Sequence, residues 1–377
     1  MEKTIGLLLM IGLGLILQRK ISTSDHLHGL KVLILSLALP ATIFVALLNV
    51  ELSENMLIFP MMALLINGIL LGTTYLNKYL FPSIGKARHR TLMMLLPSLA
   101  PGLSCFPFLS EYLGEESVAL AALADVGNKL FVLLLLYLLA MHWYHQFSSS
   151  KEDESKSKIK QLLVALISEP INMVMIVALV MLGFGLNLQT LPDSVSGVIL
   201  RLSSIMAPLI LLFIGLAVKI NRKDFGLILR LLTVRSGLLF ILSGLFIMFV
   251  PELSMPTMLL AIVFPQSSCS FWPFAHMSSV NGMEDGPHKT FDVGFALSVL
   301  AVSLPFSTVV ILAVLSFPSF ALDPFHLIGF GATAMTFASI PQLIARLRSV
   351  ALKNMVIEEN TPNQKEMAVK EVMAEAS

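Results

Sequence analysis

The stretches LMMLLPSLAPGLSCFPFLSEYL (Leu92–Leu113) and MLLAIVFPQSSCSFWPFAHMSSV (Met258–Val280) are apolar segments broken by proline, one in each half of the chain. Both carry Ser-Cys followed by Pro-Phe, at Ser104, Cys105, Pro107 and Phe108 in the first and at Ser268, Cys269, Pro273 and Phe274 in the second. Asp-Val-Gly follows each, at Asp125–Gly127 and Asp292–Gly294, and Pro40 has a counterpart in Pro208. The offsets are 168 residues for Pro40 and Pro208, 166 for Pro107 and Pro273, and 167 for Asp125 and Asp292, a near-constant spacing that an internal duplication explains. Hydrophobic segments interrupted at corresponding positions of two halves are the sequence pointer to a transporter binding site.

The composition puts these segments in a bilayer. Hydrophobic residues make up 56% of the chain and charged residues 13%, with mean hydropathy +0.84, whereas a soluble domain carries roughly a quarter charged residues. The chain reads as an all-α polytopic membrane protein with the lipid bilayer as its first partner. A net charge of +1 leaves no basic patch for neutralising phosphates, so nucleic acid is not an expected partner. No P-loop, GxSxG, HExxH or dinucleotide fingerprint occurs, and no Cys or His cluster has metal-ligand spacing. Cys105 and Cys269 lie in apolar segments, where a thiol acts as a small filler. The expectation is a non-enzyme with no cofactor and no metal, driven by an ion gradient or by the substrate's own.

With about 20 apolar residues needed to cross the hydrocarbon, spans are expected near 4–18, 30–49, 56–80, 91–113, 117–141, 161–186, 196–219, 226–250, 256–280 and 290–317. Thr4–Gln18 runs into Arg19 and Lys20 without a cleavage site and reads as a retained first helix. Basic residues stay cytoplasmic. Arg19, Lys20 and Lys31 flank the first loop, Lys78, Lys86, Arg88 and Arg90 the third, and Lys219, Arg222 and Lys223 the seventh. Acids fall in the even loops, at Glu51, Glu54, Glu111, Glu115, Glu116, Asp193 and Glu252, which puts the N-terminus outside the cell membrane. Five spans per half, an odd number, invert the second half relative to the first, so the fourth and ninth helices should cross. The divisions are a first repeat at 1–147, a charged cytoplasmic linker at 148–160, a second repeat at 161–318 and an extension at 319–377. Within the extension, Phe325–Ala345 reads as an eleventh span, because crossing would place Arg346, Arg348 and Lys353 on the cytoplasmic side; the tail has a short helical pattern at Gln364–Ala376.

The residues able to carry chemistry cluster at the breaks. A proline frees a carbonyl one turn earlier, and inside hydrocarbon that group needs a partner. Pro97, Pro101, Gly102 and Pro107 crowd the fourth span together with Ser104 and Cys105, while Pro265 and Pro273 flank Gln266, Ser267, Ser268, Cys269 and Ser270 in the ninth. The new helix ends present amides with partial positive charge, which favours an anionic substrate. Asp125 and Lys129 lie four apart with Asn128 beside them, as a structural ion pair, as the proton- or cation-coupling group or as a group that neutralises the substrate. Asp292 has Ala296 in place of the lysine. His276 reads as a hydrogen-bonded structural residue or a proton relay, Arg230 and Arg235 as snorkelling to the cytoplasmic interface, and Glu169, before Pro170, as a helix cap.

Three stretches resemble the auxin efflux carrier family of permeases, bacterial type: LGLILQRKISTSDHLHGLKVLILSLALPATIF (Leu13–Phe44), SCFPFLSEYLGEESVALAALADVGNKLFV (Ser104–Val132) and EPINMVMIVALVMLGFGLNLQTLPDSVSGVILRLSSIMAPLILLFIGLAV (Glu169–Val218). The likeness covers residues 5–317 and departs from the family at Glu169, where Asn is frequent, and beyond residue 318. The resemblance implies two inverted five-helix repeats, a scaffold part and a moving transport part working as an elevator, with the substrate at the crossing of the fourth and ninth helices. Bacterial members carry malate, malonate and related carboxylates, and plant members carry auxin. On this reading Pro101, Gly102, Ser104, Cys105, Pro107, Pro265, Gln266, Ser267, Ser268, Ser270 and Pro273 bind a small organic anion, and Asp125, Asn128, Lys129 and Asp292 couple it to a proton or sodium gradient. Gradient-independent export of an amphipathic anion is the alternative, and a membrane sensor on the same scaffold a third; a homodimer is left open.

Overall fold

Long runs of Leu, Ile, Val and Ala with few charges satisfy their backbone polar groups internally, and in lipid that leaves the α-helix as the local structure. The computed structural model describes residues 2–21, 23–49, 58–81, 84–147, 164, 167–217, 224–250, 253–284, 289–341 and 344. Among the described residues there is no strand. In chain order the helices are α1 (Glu2–Leu17), α2 (Asp25–Leu48), α3 (Ile58–Leu80), α4 (Lys86–Leu95), a single turn α5 (Pro101–Ser104), α6 (Phe106–Tyr112), α7 (Glu115–Gln146), α8 (Pro170–Gly183), α9 (Asp193–Ala217), α10 (Phe225–Phe249), α11 (Met255–Val263), α12 (Trp272–Gly282), α13 (Val293–Ser316), a short α14 (Pro318–Ala321) and α15 (324–341). Six stretches, in α2, α3, α7, α9, α10 and α13, are long and apolar enough to cross a membrane. The chain is a multi-pass helical membrane protein. The linker 148–160, the tail after Lys353 and the loop charges Glu51, Glu54, Lys219, Arg222, Lys223 and Glu252 lie outside the described residues.

Prolines set the irregularities. Pro40 supplies no N–H and crowds the carbonyl one turn before it, and α2 widens into a π turn over Ile34–Ala38 just upstream. Its counterpart Pro208 follows a break in α9 at Ile205. At the two proline clusters the continuous helix is lost: α4 stops at Leu95 and α6 resumes at Phe106, and α11 stops at Val263 before α12 begins at Trp272. A second π turn, Phe131–Leu135, interrupts α7.

Packing relies on close backbone approach, because lipid provides no hydrophobic drive between helices. Gly14 of α1 and Gly215 of α9 meet so closely that a Cβ on Gly14 would lie 2.9 Å from the Gly215 Cα. Gly127 of α7 faces the backbone of Pro60 on α3 in the same manner. Contacts are reciprocal between halves: α1 packs on the second part of α9 and α8 on the second part of α2, while α3 packs on α7 and α10 on α13. Helix α15 runs antiparallel to α10, with Gly331 against Gly237 and Pro324 and Ile328 against Gly244.

Candidate functional site

The two unwound segments meet, at what is called the crossing below, and are joined by hydrogen bonds. Ala100 N–H donates to the Ser268 carbonyl at 2.8 Å. Ser268 N–H donates to Ser104 Oγ at 2.9 Å and Ser270 N–H to Ser98 Oγ at 3.0 Å. Serine hydroxyls thus accept backbone N–H groups that the loss of helix leaves without a carbonyl one turn earlier, which is why this stretch combines Pro with Ser. Ser303 and Ser307 of α13 close the rest, Ser303 Oγ accepting from Cys269 N–H at 3.3 Å and Ser307 Oγ donating to the Gln266 carbonyl. Asn128 clamps the first strand from α7. Its Nδ2 donates to the Leu99 carbonyl at 2.9 Å and its Oδ1 accepts the Leu99 N–H at 3.1 Å.

Beside the crossing is a cavity of about 660 Å³. Leu27, Leu35, Phe213, Leu297, Leu300 and Leu304 give it apolar walls, and the rim of the first break, Leu99–Leu103, and the start of α12 at Phe271, Trp272 and Ala275 close it. Its charged lining is Lys31, Asp125, Lys129 and Glu169. Lys129 Nζ stands 3.3 Å from Asp125 Oδ2, 3.0 Å from Glu169 Oε2 and 3.2 Å from Asn172 Oδ1. Asp125 is 4% and Lys129 6% exposed. The cluster holds two carboxylates against one ammonium. Lys31 Nζ sits 4.4 Å above the Phe271 ring and forms no ion pair among the described residues.

Of the residues expected to bind substrate, only Pro101 and Gly102 line the cavity; Ser104, Cys105, Pro107, Pro265, Gln266, Ser267, Ser268, Ser270 and Pro273 do not. The serines are committed to the crossing, and Gln266 bonds to Ser236 of α10 through both ends of its amide, at 2.7 and 3.1 Å. Of the expected coupling residues, Asp125, Asn128 and Lys129 line it. Asp292 lies elsewhere, capping α13 through Phe295 N–H at 2.9 Å and pairing with Arg88 at 3.0 Å, whose Nη1 also reaches Asp224 at 3.0 Å. Both cysteines are free and buried.

Two expectations are corrected. Glu169 makes no capping bond to the backbone of α8; its carboxylate turns to the buried Lys129 ammonium of the neighbouring α7, with Asn172 Nδ2 a longer donor at 3.4 Å. Arg235 does not snorkel. It is 5% exposed, ten residues into α10, and donates from Nε to the Leu96 carbonyl at 2.8 Å and from Nη2 to the Ser267 carbonyl at 3.0 Å. His276 bonds the Val132 carbonyl at 3.2 Å and meets Tyr137 edge-on, a structural environment. Lys31, expected at the first loop, and the aromatic and leucine walls have no motif to reveal them. No family model matches this chain, and no curated protein matches it.

Proposed function

We propose that the protein is a secondary transporter of an organic anion, most simply a carboxylate with an apolar body, and that the cavity beside the crossed segments is its binding site. The observation that carries this is a mostly apolar cavity lined by Lys31, which has no ion pair among the described residues, by the start of α12 and by the Asp125–Lys129–Glu169 cluster. Lys31 and the partial positive charge of the α12 N-terminus attract a carboxylate. The cluster carries one carboxylate in excess of its ammonium. An entering anion feels that excess charge, and a proton or a small cation on the cluster relieves the repulsion, so binding of the two is linked.

The reciprocal packing of the halves and the matched irregularities upstream of Pro40 and Pro208 support two inverted five-helix repeats. With the resemblance of Leu13–Phe44, Ser104–Val132 and Glu169–Val218, they support membership of the auxin efflux carrier permeases and elevator-type movement. In this reading Lys129 holds the two acids together and Asp125 is the residue through which the gradient acts.

A thermal-shift screen of carboxylates on the purified protein identifies the substrate class, and uptake of the best ligand into proteoliposomes is then measured with and without a pH or sodium gradient. Accumulation under one gradient, abolished in Asp125→Asn while ligand stabilisation persists, is the expected result. Equal uptake with and without gradients favours the passive exporter, and gradient-driven uptake intact in Asp125→Asn removes the coupling role. Absence of any ligand response and any flux overturns the transporter reading.

A further inference from the structure

Where the two broken segments meet, the carbonyls of Leu96, Pro265 and Ser267 converge on one guanidinium. Arg235 Nε donates to Leu96 O at 2.8 Å, and Nη2 lies 3.0 Å from Ser267 O and 3.4 Å from Pro265 O. The acceptors come from both broken segments, at the ends of α4 and α11, where the helix dipoles leave partial negative charge. No carboxylate pairs with Arg235 among the described residues. Unwound carbonyls and half-helix C-termini at a transporter midplane are the groups that coordinate sodium. Here a covalently tethered cation has the position.

We propose that Arg235 is a built-in counter-ion that takes the place of a bound alkali cation at the crossing, so that the two broken segments are held together without sodium. A planar guanidinium is well shaped for this role, because donors at fixed angles reach acceptors on two separate strands at once. A sodium ion would need the same carbonyls and would meet a fixed positive charge. The inference rests on the transporter reading only for its consequence, that coupling at this crossing belongs to protons; the cation site itself is tested without transport.

Purified wild-type protein and Arg235→Ala are compared by thermal unfolding in choline, sodium and guanidinium chlorides at equal, low millimolar concentration. Any shift of the wild type between the three salts, such as sodium on the Asp125–Lys129–Glu169 cluster would give, is the baseline against which the variants are read. Arg235→Ala is expected to melt lower in choline and to recover in guanidinium or sodium by several degrees, on the scale of about 2–4 °C per kcal/mol for a chain somewhat smaller than this one. Arg235→Lys, which keeps a tethered charge, should stay insensitive to the salt, a result that lost packing alone does not produce. Arg235→Gln is read in the same way if the alanine variant is recovered in no salt. Indifference of both neutral variants to all three cations, or a recovery no larger than any response of the wild type to the same salt, overturns the proposal. A cation response in the variant without any flux of substrate would retain this inference and remove the transporter reading.

Discussion

Lys129 is the residue on which the cavity's charge balance turns. Its ammonium is shared by Asp125 and Glu169 and accepted by Asn172, in a largely buried setting. Removing one partner of a buried ion pair leaves the others uncompensated, at a cost of about 3–5 kcal/mol. Lys129→Met should therefore be strongly destabilised in thermal unfolding, and the double change Lys129→Met with Glu169→Gln should recover part of the loss, since it removes one stranded carboxylate. Lys31 is the opposite case. Among the described residues the Phe271 ring is what engages it, so Lys31→Gln should leave the melting temperature within about a degree while weakening carboxylate binding roughly tenfold, the loss of about 1.4 kcal/mol expected of one charge-assisted contact. Titration of the screened carboxylate against both variants checks the pair.

Helices here are positioned by glycine contacts and by breaks, and the two differ in how plainly the sequence announces them. Gly215 is in backbone contact with α1, where any side chain must push the helices apart. Gly215→Leu should lower the melting temperature or prevent recovery of folded protein, whereas Gly68→Ala on α3, with nothing within 4 Å, should be neutral. Nothing in the local sequence separates these glycines, because the partner of Gly215 is Gly14, about 200 residues earlier. The broken segments are legible, since Pro, Ser and Gly advertise unsatisfied backbone wherever they gather in an apolar run. Their chemistry is not. Serines that look like ligands bond the opposite strand, and the walls of the cavity are leucines and aromatics indistinguishable from core. Glu169 and Arg235 escape a sequence reading for a common reason: charge at a span's start is most simply given to water, while each partner, Lys129 or the Leu96 carbonyl, sits on a remote helix or at its end.

For the whole molecule, charge distribution gives a topology that can be checked directly. On the proposed arrangement of ten crossings with the N-terminus outside, Lys86 at the start of α4 would be cytoplasmic and Asn187 between α8 and α9 external. In intact cells, and in a background lacking Cys105 and Cys269, Asn187→Cys should react with an impermeant maleimide and Lys86→Cys should not until the membrane is opened. Labelling of both from outside contradicts the arrangement. The π turns add a constraint of another kind. Each holds one residue more than an α-helix needs, and a residue subtends about 100° around the axis. Lys31 lies just before Ile34–Ala38, and Asp125 and Lys129 lie just before Phe131–Leu135. The aim of the charged groups is thus held by chain length: deleting Ser36 or Leu37, neither of which lines the cavity, would rotate Lys31 by about a quarter turn out of it, a loss of anion binding with every lining residue still in the sequence.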